Sequence, residues 1–335
     1  MKFIKGVLLV IILVFIVLTG IKLKNNNEVN VLMDTLVSGK YDIVLSNYQM
    51  SSPYKYESVF IDVETKEQKI LKHDTYNQIH KVNDGYVLAN WLYWENPMHV
   101  TETEQTEITL PEELRDIAGG VEQVIDTQFG TILIIPNYVQ NLDEFTSTIY
   151  NVDTGNYQLI PAGLPTCSFD QVNLYCADFE SETSIYDVEA NQIIGTIGKD
   201  ENEEAIVENH KTHDNIAILS TSYDGQAQIK VDNNEIINYD KQVVDVDSCF
   251  GNFYILDEFE NISISNEFDS YTINPFDYNQ MTNMVNMTCS DSEFIISLLN
   301  GYDNYSTVLI VSENGIQVID VDHNMGQQIG VTSLH

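Results

Sequence analysis

Positive charge is what this chain has least of. Its 335 residues include 15 Lys or Arg against 51 Asp or Glu, a formal net charge of −36. Arg115 is the sole arginine. Phosphate binding needs a basic surface, so nucleic acid is excluded as a default partner. Cations, basic peptides or plain solubility remain as uses for so acidic a surface. A lone arginine also leaves little means of clamping a substrate carboxylate in bidentate fashion. Catalytic motifs are missing too: there is no H-E-x-x-H, no G-x-S-x-G and no glycine-rich phosphate loop. No catalytic residue, metal-ligand set or cofactor is therefore expected. Disorder is excluded in turn, because 43% of the residues are apolar and a disordered acidic chain carries far fewer.

Long apolar runs are also scarce, with one exception. Lys2 and Lys5 precede an unbroken apolar stretch from Gly6 to Leu18, which Thr19-Gly20-Ile21 extends to Lys22. With Ile4 and Leu23 contributing and the lysines snorkelling, it reaches the roughly 20 residues that a bilayer span needs. Residues 1–24 are read as an uncleaved, single-pass signal-anchor, a transmembrane helix with the basic end inside. A cleaved signal peptide is the alternative, although no A-x-A-like site follows. Residues 25–40 read as a polar stalk ending in Ser38-Gly39. Residues 41–335 form the ectodomain, outside the cytoplasm at the cell membrane.

The ectodomain repeats one sentence. Thr148-Ile149-Tyr150-Asn151-Val152-Asp153-Thr154-Gly155-Asn156-Tyr157-Gln158-Leu159-Ile160 reads strand, tight turn, strand, with Gly155 free to take φ > 0. Copies turn near Thr65, Thr103, Thr154, Ala190, Asn233, Glu267 and Asn314, with a mean spacing of about 42 residues, the period of a four-stranded propeller blade. Two further strands fit between successive hairpins. Those such as Thr131-Ile132-Leu133-Ile134-Ile135 and Phe294-Ile295-Ile296-Ser297-Leu298-Leu299 are apolar on both faces, as strands sandwiched between neighbours must be. Pro111 to Arg115 reads as a helical turn. The fold class is all-β, a seven-bladed β-propeller behind an N-terminal transmembrane helix. The first blade lacks an innermost strand, and the segment from Gln328 to Leu334 is expected to supply it by pairing with Tyr41 to Asn47.

The hairpin resembles the repeat of bacterial YVTN-type β-propellers, whose outer strands run apolar-Tyr-Asp-x-x-Thr-Gly before a second apolar strand. Tyr150 to Ile160 and Tyr186 to Ile197 carry the pattern best. No Gly-His or Trp-Asp pair stands in register, so the WD40 signature is absent. The resemblance implies the fold and transfers no function, since such propellers serve many roles.

Loops provide the functional hint. Connections from second to third strand share one face of a propeller. They read as longer and aromatic in blades one, two, three and seven, which are consecutive in space. Tyr54, Trp91, Tyr93, Trp94, Tyr138 and Tyr302 mark them as a ligand-binding surface; the alternative is that the two Trp residues pack between blades. Asp245-Val246-Asp247 and Asp320-Val321-Asp322 are acidic pairs at strand spacing, too few for the six to eight oxygens of a Ca²⁺ site. His210-Lys211-Thr212-His213 has helical ligand spacing but lies among turn residues. Cys167 and Cys176 fall opposite each other across a hairpin turning at Gln171-Val172, a geometry for a disulfide; Cys249 and Cys289 end innermost strands of adjacent blades.

The expectation is thus a membrane-anchored extracytoplasmic propeller that binds a protein or extracellular ligand through an aromatic, acidic loop face. The alternative is an extracellular propeller enzyme, a lyase or hydrolase acting on a glycan with acidic residues at the channel mouth. The anchor is tested by washing membranes in high salt and carbonate: the protein should stay with the bilayer, its ectodomain open to external protease. A soluble, N-terminally trimmed form in the medium would exclude the anchor.

Overall fold

The computed structural model describes residues 29–49, 55–74, 76–90, 96–137, 146–161, 166–169, 172–177, 183–197, 217–221, 227–231, 235–239, 243–249, 252–257, 262–265, 270–274, 277–278, 282–290, 293–300, 306–312, 315–321 and 327–334. Within them the strands form seven separate antiparallel sheets. Sheet one orders Gln327–Ser333, Ile43–Gln49, Lys55–Ile61 and Gln68–His73. Sheet two is Gln78–Val82, Gly85–Ala89, Met98–Val100 and Gln105–Glu107. Sheet three is Gln123–Thr127, Gly130–Asn137, Thr146–Asn151 and Tyr157–Ile160. Sheet four is Thr166–Phe169, Asn173–Ala177, Thr183–Asp187 and Gln192–Ile197. Sheet five has three described strands, Ala217–Thr221, Ala227–Val231 and Glu235–Tyr239. Sheet six is Val243–Cys249, Asn252–Asp257, Ile262–Ser265 and Ser270–Ile273. Sheet seven is Thr282–Cys289, Phe294–Asn300, Ser306–Ser312 and Gly315–Val321.

One turn explains three of the outer hairpins. Asp62, Asn151 and Asp187 each end a strand or follow it, and each side-chain oxygen accepts the backbone N–H three residues on, from Thr65 (2.8 Å), Thr154 (3.0 Å) and Ala190 (2.8 Å). The next residue takes φ > 0: Lys66 at 60°, Gly155 at 69°, Asn191 at 52°. The Asx cap fixes the turn strongly enough that Gly is dispensable at the left-handed position, at a strain cost of roughly 1–2 kcal/mol for Lys. This is why copies of the repeat without glycine still fold as the same hairpin.

Strands between the outer hairpin and the first strand bury both faces. Ile43, Leu45, Val59 and Ile61 of sheet one pack against Ile295, Val308 and Ile310 of sheet seven. Val87 and Ala89 of sheet two meet Leu133, Ile135 and Tyr150 of sheet three. Ile132, Ile134 and Ile149 meet Cys167, Leu174 and Tyr186 of sheet four. The core is therefore a series of seams between neighbouring sheets, each fully buried side chain contributing about 1.5–3 kcal/mol of transfer energy. First strands lie side by side: Gln327–Ser333 touches both Thr282–Cys289 and Gln78–Val82, which touches Gln123–Thr127 in turn. Thr332 Oγ1 donates to Ile79 O (2.6 Å), and Tyr86 Oη, opposite Lys81, donates to Leu334 O (2.9 Å). Two steps along one strand match two along the other, so the neighbours run parallel.

Sheet one is built from both ends of the chain. Gln327–Ser333 pairs antiparallel with Ile43–Gln49, Ile43 opposite Ser333 and Tyr48 opposite Gln327. The polar-stalk expectation for residues 25–40 needs correction. Residues 29–36 are helical, and Leu32, Met33 and Leu36 are wholly buried in one cluster with Val44, Phe60, Ile79, Leu88 and Leu334. With Val29 and Val37 packed on its edge, the apolar positions recur at i, i+3, i+4, i+7 and i+8, the stripe of an amphipathic helix. Gly39, at φ 61°, follows the final turn, and Lys69 Nζ donates to Thr35 Oγ1 at 2.9 Å. Among the described residues no helix is long and apolar enough to cross a membrane; the expected anchor, residues 1–24, lies outside them.

Removing residues 322–335 should strip sheet one of its first strand, expose Ile43 and Leu45, and lose buried Val331 and Leu334. The melting temperature should fall by roughly 10 °C or more, with aggregation through the opened edge. A truncated protein that melts like the full chain would show that this pairing is not what holds the sheet.

Candidate interaction face

The first strands of sheets one and two run parallel, and Gln123 meets Cys167 near the start of the first strands of sheets three and four, so the connections from second to third strand leave these sheets at one end. In the four-stranded sheets these connections span 50–54 in sheet one, 90–97 in sheet two, 138–145 in sheet three, 178–182 in sheet four, 258–261 in sheet six and 301–305 in sheet seven. This corrects the loop census. Only the connections of sheets two and three are longer than the rest; strand Lys55–Ile61 starts early enough to leave sheet one a loop no longer than that of sheet four. Aromatic content still singles out sheets two, three and seven. Tyr54, Trp91, Tyr93, Trp94, Tyr138 and Tyr302 lie outside the described residues, as do His210 and His213.

What the structure does describe is the floor beneath those loops, and it is polar. In sheet one, Ser58 Oγ lies 2.8 Å from His73 Nε2, with the Tyr56 ring tilted over the imidazole at 6.3 Å between centroids. On the other side of the same sheet, Glu57 takes the Lys72 ammonium at 2.6 Å; the Glu57 side chain is 0% exposed and that of Lys72 60%. In sheet two, Asn77 Nδ2 donates to Asn90 Oδ1 (3.4 Å). In sheet three, Thr148 Oγ1 donates to Asn137 Oδ1 (3.0 Å), and Asn137 Nδ2 donates to Thr146 Oγ1 (3.1 Å). Asn47 and Ser306 are likewise buried at this end of their sheets. Burying polar groups costs free energy unless they are bonded, so these networks hold the strand ends in a single arrangement.

Ser58 and His73 have the composition of a nucleophile and its base, but Ser58 is 1% exposed and His73 4%. A substrate atom has no approach to Oγ, and the pair is a packing hydrogen bond. Burial pushes the His73 pKa down to about 4, against the opposing charge of Glu57. At the opposite end, burial raises Asp126 to about 6, with the charges of Asp84 and Asp153 adding to it and the backbone N–H groups of Asn83 and Thr127 opposing. Asp84 is itself paired with His99, Nε2 to Oδ1 2.8 Å. Asp153 is spent on the fold, accepting the Thr131 N–H at 2.8 Å. Among the described residues no group of three His, Cys, Asp or Glu could hold a metal ion. Asp320 accepts from Thr307 Oγ1 at 3.3 Å on the outermost strand of sheet seven, while Asp245 and Asp247 stand on the first strand of sheet six.

The structure joins Cys167 to Cys176, S–S 2.04 Å, across paired strands of sheet four. The Gln123 amide clamps the same hairpin to sheet three: Nε2 donates to Cys167 O (2.8 Å) and Oε1 accepts from Cys167 N (3.0 Å). The sequence reading passed over Glu57, Lys72 and His73. A signal existed: Tyr56-Glu57-Ser58 puts a carboxylate just ahead of Val59-Phe60-Ile61, a run apolar on both faces, where burial of a charge calls for a partner.

The fold and its seams define an all-β protein of propeller architecture. No protein-family model matches the chain, and no curated protein matches it in sequence. Solved structures do. The β-propeller domain of the Trilobed protease from Pyrococcus furiosus, described as having an open velcro topology, superposes with a TM-score of 0.54 at 10% identity, over 85% of this chain and 96% of that one. A streptogramin B lyase superposes at 0.49 and 8% identity, over 77% and 86%. The C-terminal WD40 domain of Sif2 does so at 0.46 and 11%, over 88% of each. The likeness is one of fold.

The buried histidine sets a pH dependence. Its folded pKa, about 4, lies below its ordinary 6.5, so between these values the unfolded chain takes up a proton that the folded chain refuses. Its contribution is complete above pH 6.5 and lost as pH falls towards 4, amounting to about 3 kcal/mol. Asp126 acts oppositely: its folded pKa is raised, so its penalty is full above about pH 6 and relieved below. Denaturant unfolding at several pH values should therefore show that His73→Gln removes a slope of rising stability between pH 4 and 6.5, and that Asp126→Asn removes a falling one. Unchanged slopes would place the two groups in solvent.

Proposed function

We propose that the chain is a membrane-tethered, extracytoplasmic propeller whose seven sheets are its seven blades, and that it works as a binding module. Its recognition surface is the aromatic, acidic end carrying the connections 90–97, 138–145 and 301–305, centred on Trp91, Tyr93 and Trp94, with Tyr54, Tyr138 and Tyr302 around them. The partner is a protein or extracellular ligand. The observation that supports this reading most is the bonded polar floor at that end of sheets one, two and three. Rigid strand ends under loops rich in Trp and Tyr are how scaffolds present amphipathic anchors at low entropic cost. The membrane tether is supported by the apolar run of residues 6–21 behind two lysines. The buried Ser58–His73 pair supplies no accessible nucleophile.

The test uses the full-length protein extracted in detergent from the membrane in which it is made. Trp91→Ala with Trp94→Ala should abolish co-isolation of the partner and leave the melting temperature almost unchanged. If melting instead collapses, the two indoles are core, since truncating a buried Trp costs roughly 3–5 kcal/mol each, and the recognition surface lies elsewhere.

A further inference from the structure

The chain's few basic residues are not spread over it. Residues 40–81, which build most of sheet one, hold Lys40, Lys55, Lys66, Lys69, Lys72 and Lys81 against six acidic residues. From residue 82 to the end, five basic residues face forty-three acidic ones. The contrast is sharper at the rim. The outermost strand of sheet one, Gln68–His73, carries two lysines, and no outermost strand of the other six sheets carries any. Lys72 holds its ammonium at the surface over a buried carboxylate. Lys66 stands exposed in the adjoining turn and Lys40 pairs with Glu67 beside it. Ile70, between the strand's lysines, is 38% exposed.

The N-terminal helix leads to the same place. Residues 29–36 are wedged by Leu32, Met33 and Leu36 into the seam of sheets one and two, and Thr35 is bonded to Lys69 of that outermost strand. The helix begins seven residues after the apolar run closes at Ile21. Seven extended residues reach at most about 25 Å. A docked helix on so short a tether fixes the attitude of the body it holds, where a free polar stalk would let it tumble.

We infer that the rim of sheet one, formed by the outermost strand Gln68–His73, Lys66 and the docked helix, is a bilayer-facing surface whose partner is an anionic lipid headgroup layer. The propeller stands edge-on, with its neutral, lysine-bearing edge towards the membrane and its strongly negative remainder away from it. An anionic surface attracts nearby lysines and repels the rest of the body, and both forces act within a Debye length of about 8 Å. Edge-on mounting leaves the aromatic loop end open to a partner. The inference rests on the anchor reading of residues 1–24.

The test is photo-crosslinking of the full-length protein reconstituted into phosphatidylcholine vesicles with and without phosphatidylglycerol. A benzophenone side chain replaces Ile70, Leu159 or Ile194, all exposed positions on outermost strands, of sheets one, three and four. Carbonate extraction is run first on the same vesicles. Lipid adducts should form severalfold more at position 70 than at 159 or 194 when phosphatidylglycerol is present, and should fall in high salt and with Lys66→Glu. Protein that resists carbonate but labels equally at the three positions is tethered and free to turn, and the rim inference fails alone. Labelling at 70 that ignores phosphatidylglycerol overturns the lipid chemistry. Release by carbonate overturns the anchor and the rim together.

Discussion

The pairing of Gln327–Ser333 with Ile43–Gln49 is the interaction on which the other joints of the structure depend. It completes sheet one, and it supplies the surface on which the neighbours rest. Thr332 reaches Ile79 of sheet two, Leu334 takes the Tyr86 hydroxyl, and Val331 enters the seam with sheet seven. The helix of residues 29–36 packs over the same region, in one cluster with Leu334. Both ends of the chain thus converge on one seam. The contact spans most of the chain's length and carries a high loop-closure cost. Every other sheet is made from a continuous stretch of chain and can assemble locally.

That division explains how stabilising features are distributed. Within sheets, the work is done by short-range turn chemistry, repeated at Asp62, Asn151 and Asp187, which sets each hairpin's register without reference to the rest of the molecule. Between sheets there is no such rule, and the seams rely on individual solutions. Sheets three and four use the Gln123 clamp on Cys167. Sheets one and seven use Gln68 Nε2 on Asp320 O (2.9 Å), between their outermost strands, and Gln317 Nε2 on Val63 O (3.0 Å), from outermost strand to turn.

The same division decides what could be read from the sequence. The hairpins were legible because period-2 alternation and turn residues are local signals, and the 42-residue spacing followed from them. The final strand was legible by elimination, since sheet one lacked a partner. The opposed cysteines followed from counting back along a hairpin. The helix of residues 29–36 was missed because a run of asparagines ahead of it dominates the composition, although Val29, Leu32, Met33, Leu36 and Val37 mark its stripe. Seam chemistry was not legible at all. Nothing local says that Glu57 will meet Lys72, or that His73 will lose its charge by burial, because each depends on which sheet lies alongside. The loop census erred for a related reason: its contrast hung on strand ends, the least certain feature of any sequence reading.

Charge joins these threads. A body with forty-three acidic residues beyond position 81 repels itself, and the strain falls hardest where the chain is not continuous. That place is sheet one, whose first strand is joined to the other three only by non-covalent pairing. There the sequence keeps acids and bases in balance. Lys40 is spent on Glu67, Lys72 on Glu57 and Lys66 on the Val318 carbonyl of sheet seven (3.4 Å). Within this sheet a pair such as Glu57–Lys72 buries its carboxylate and leaves its ammonium outward. Where the acid is buried and the base exposed, as at Glu57–Lys72, the joint presents positive charge to whatever lies beside it, and the helix of residues 29–36 is docked at that joint.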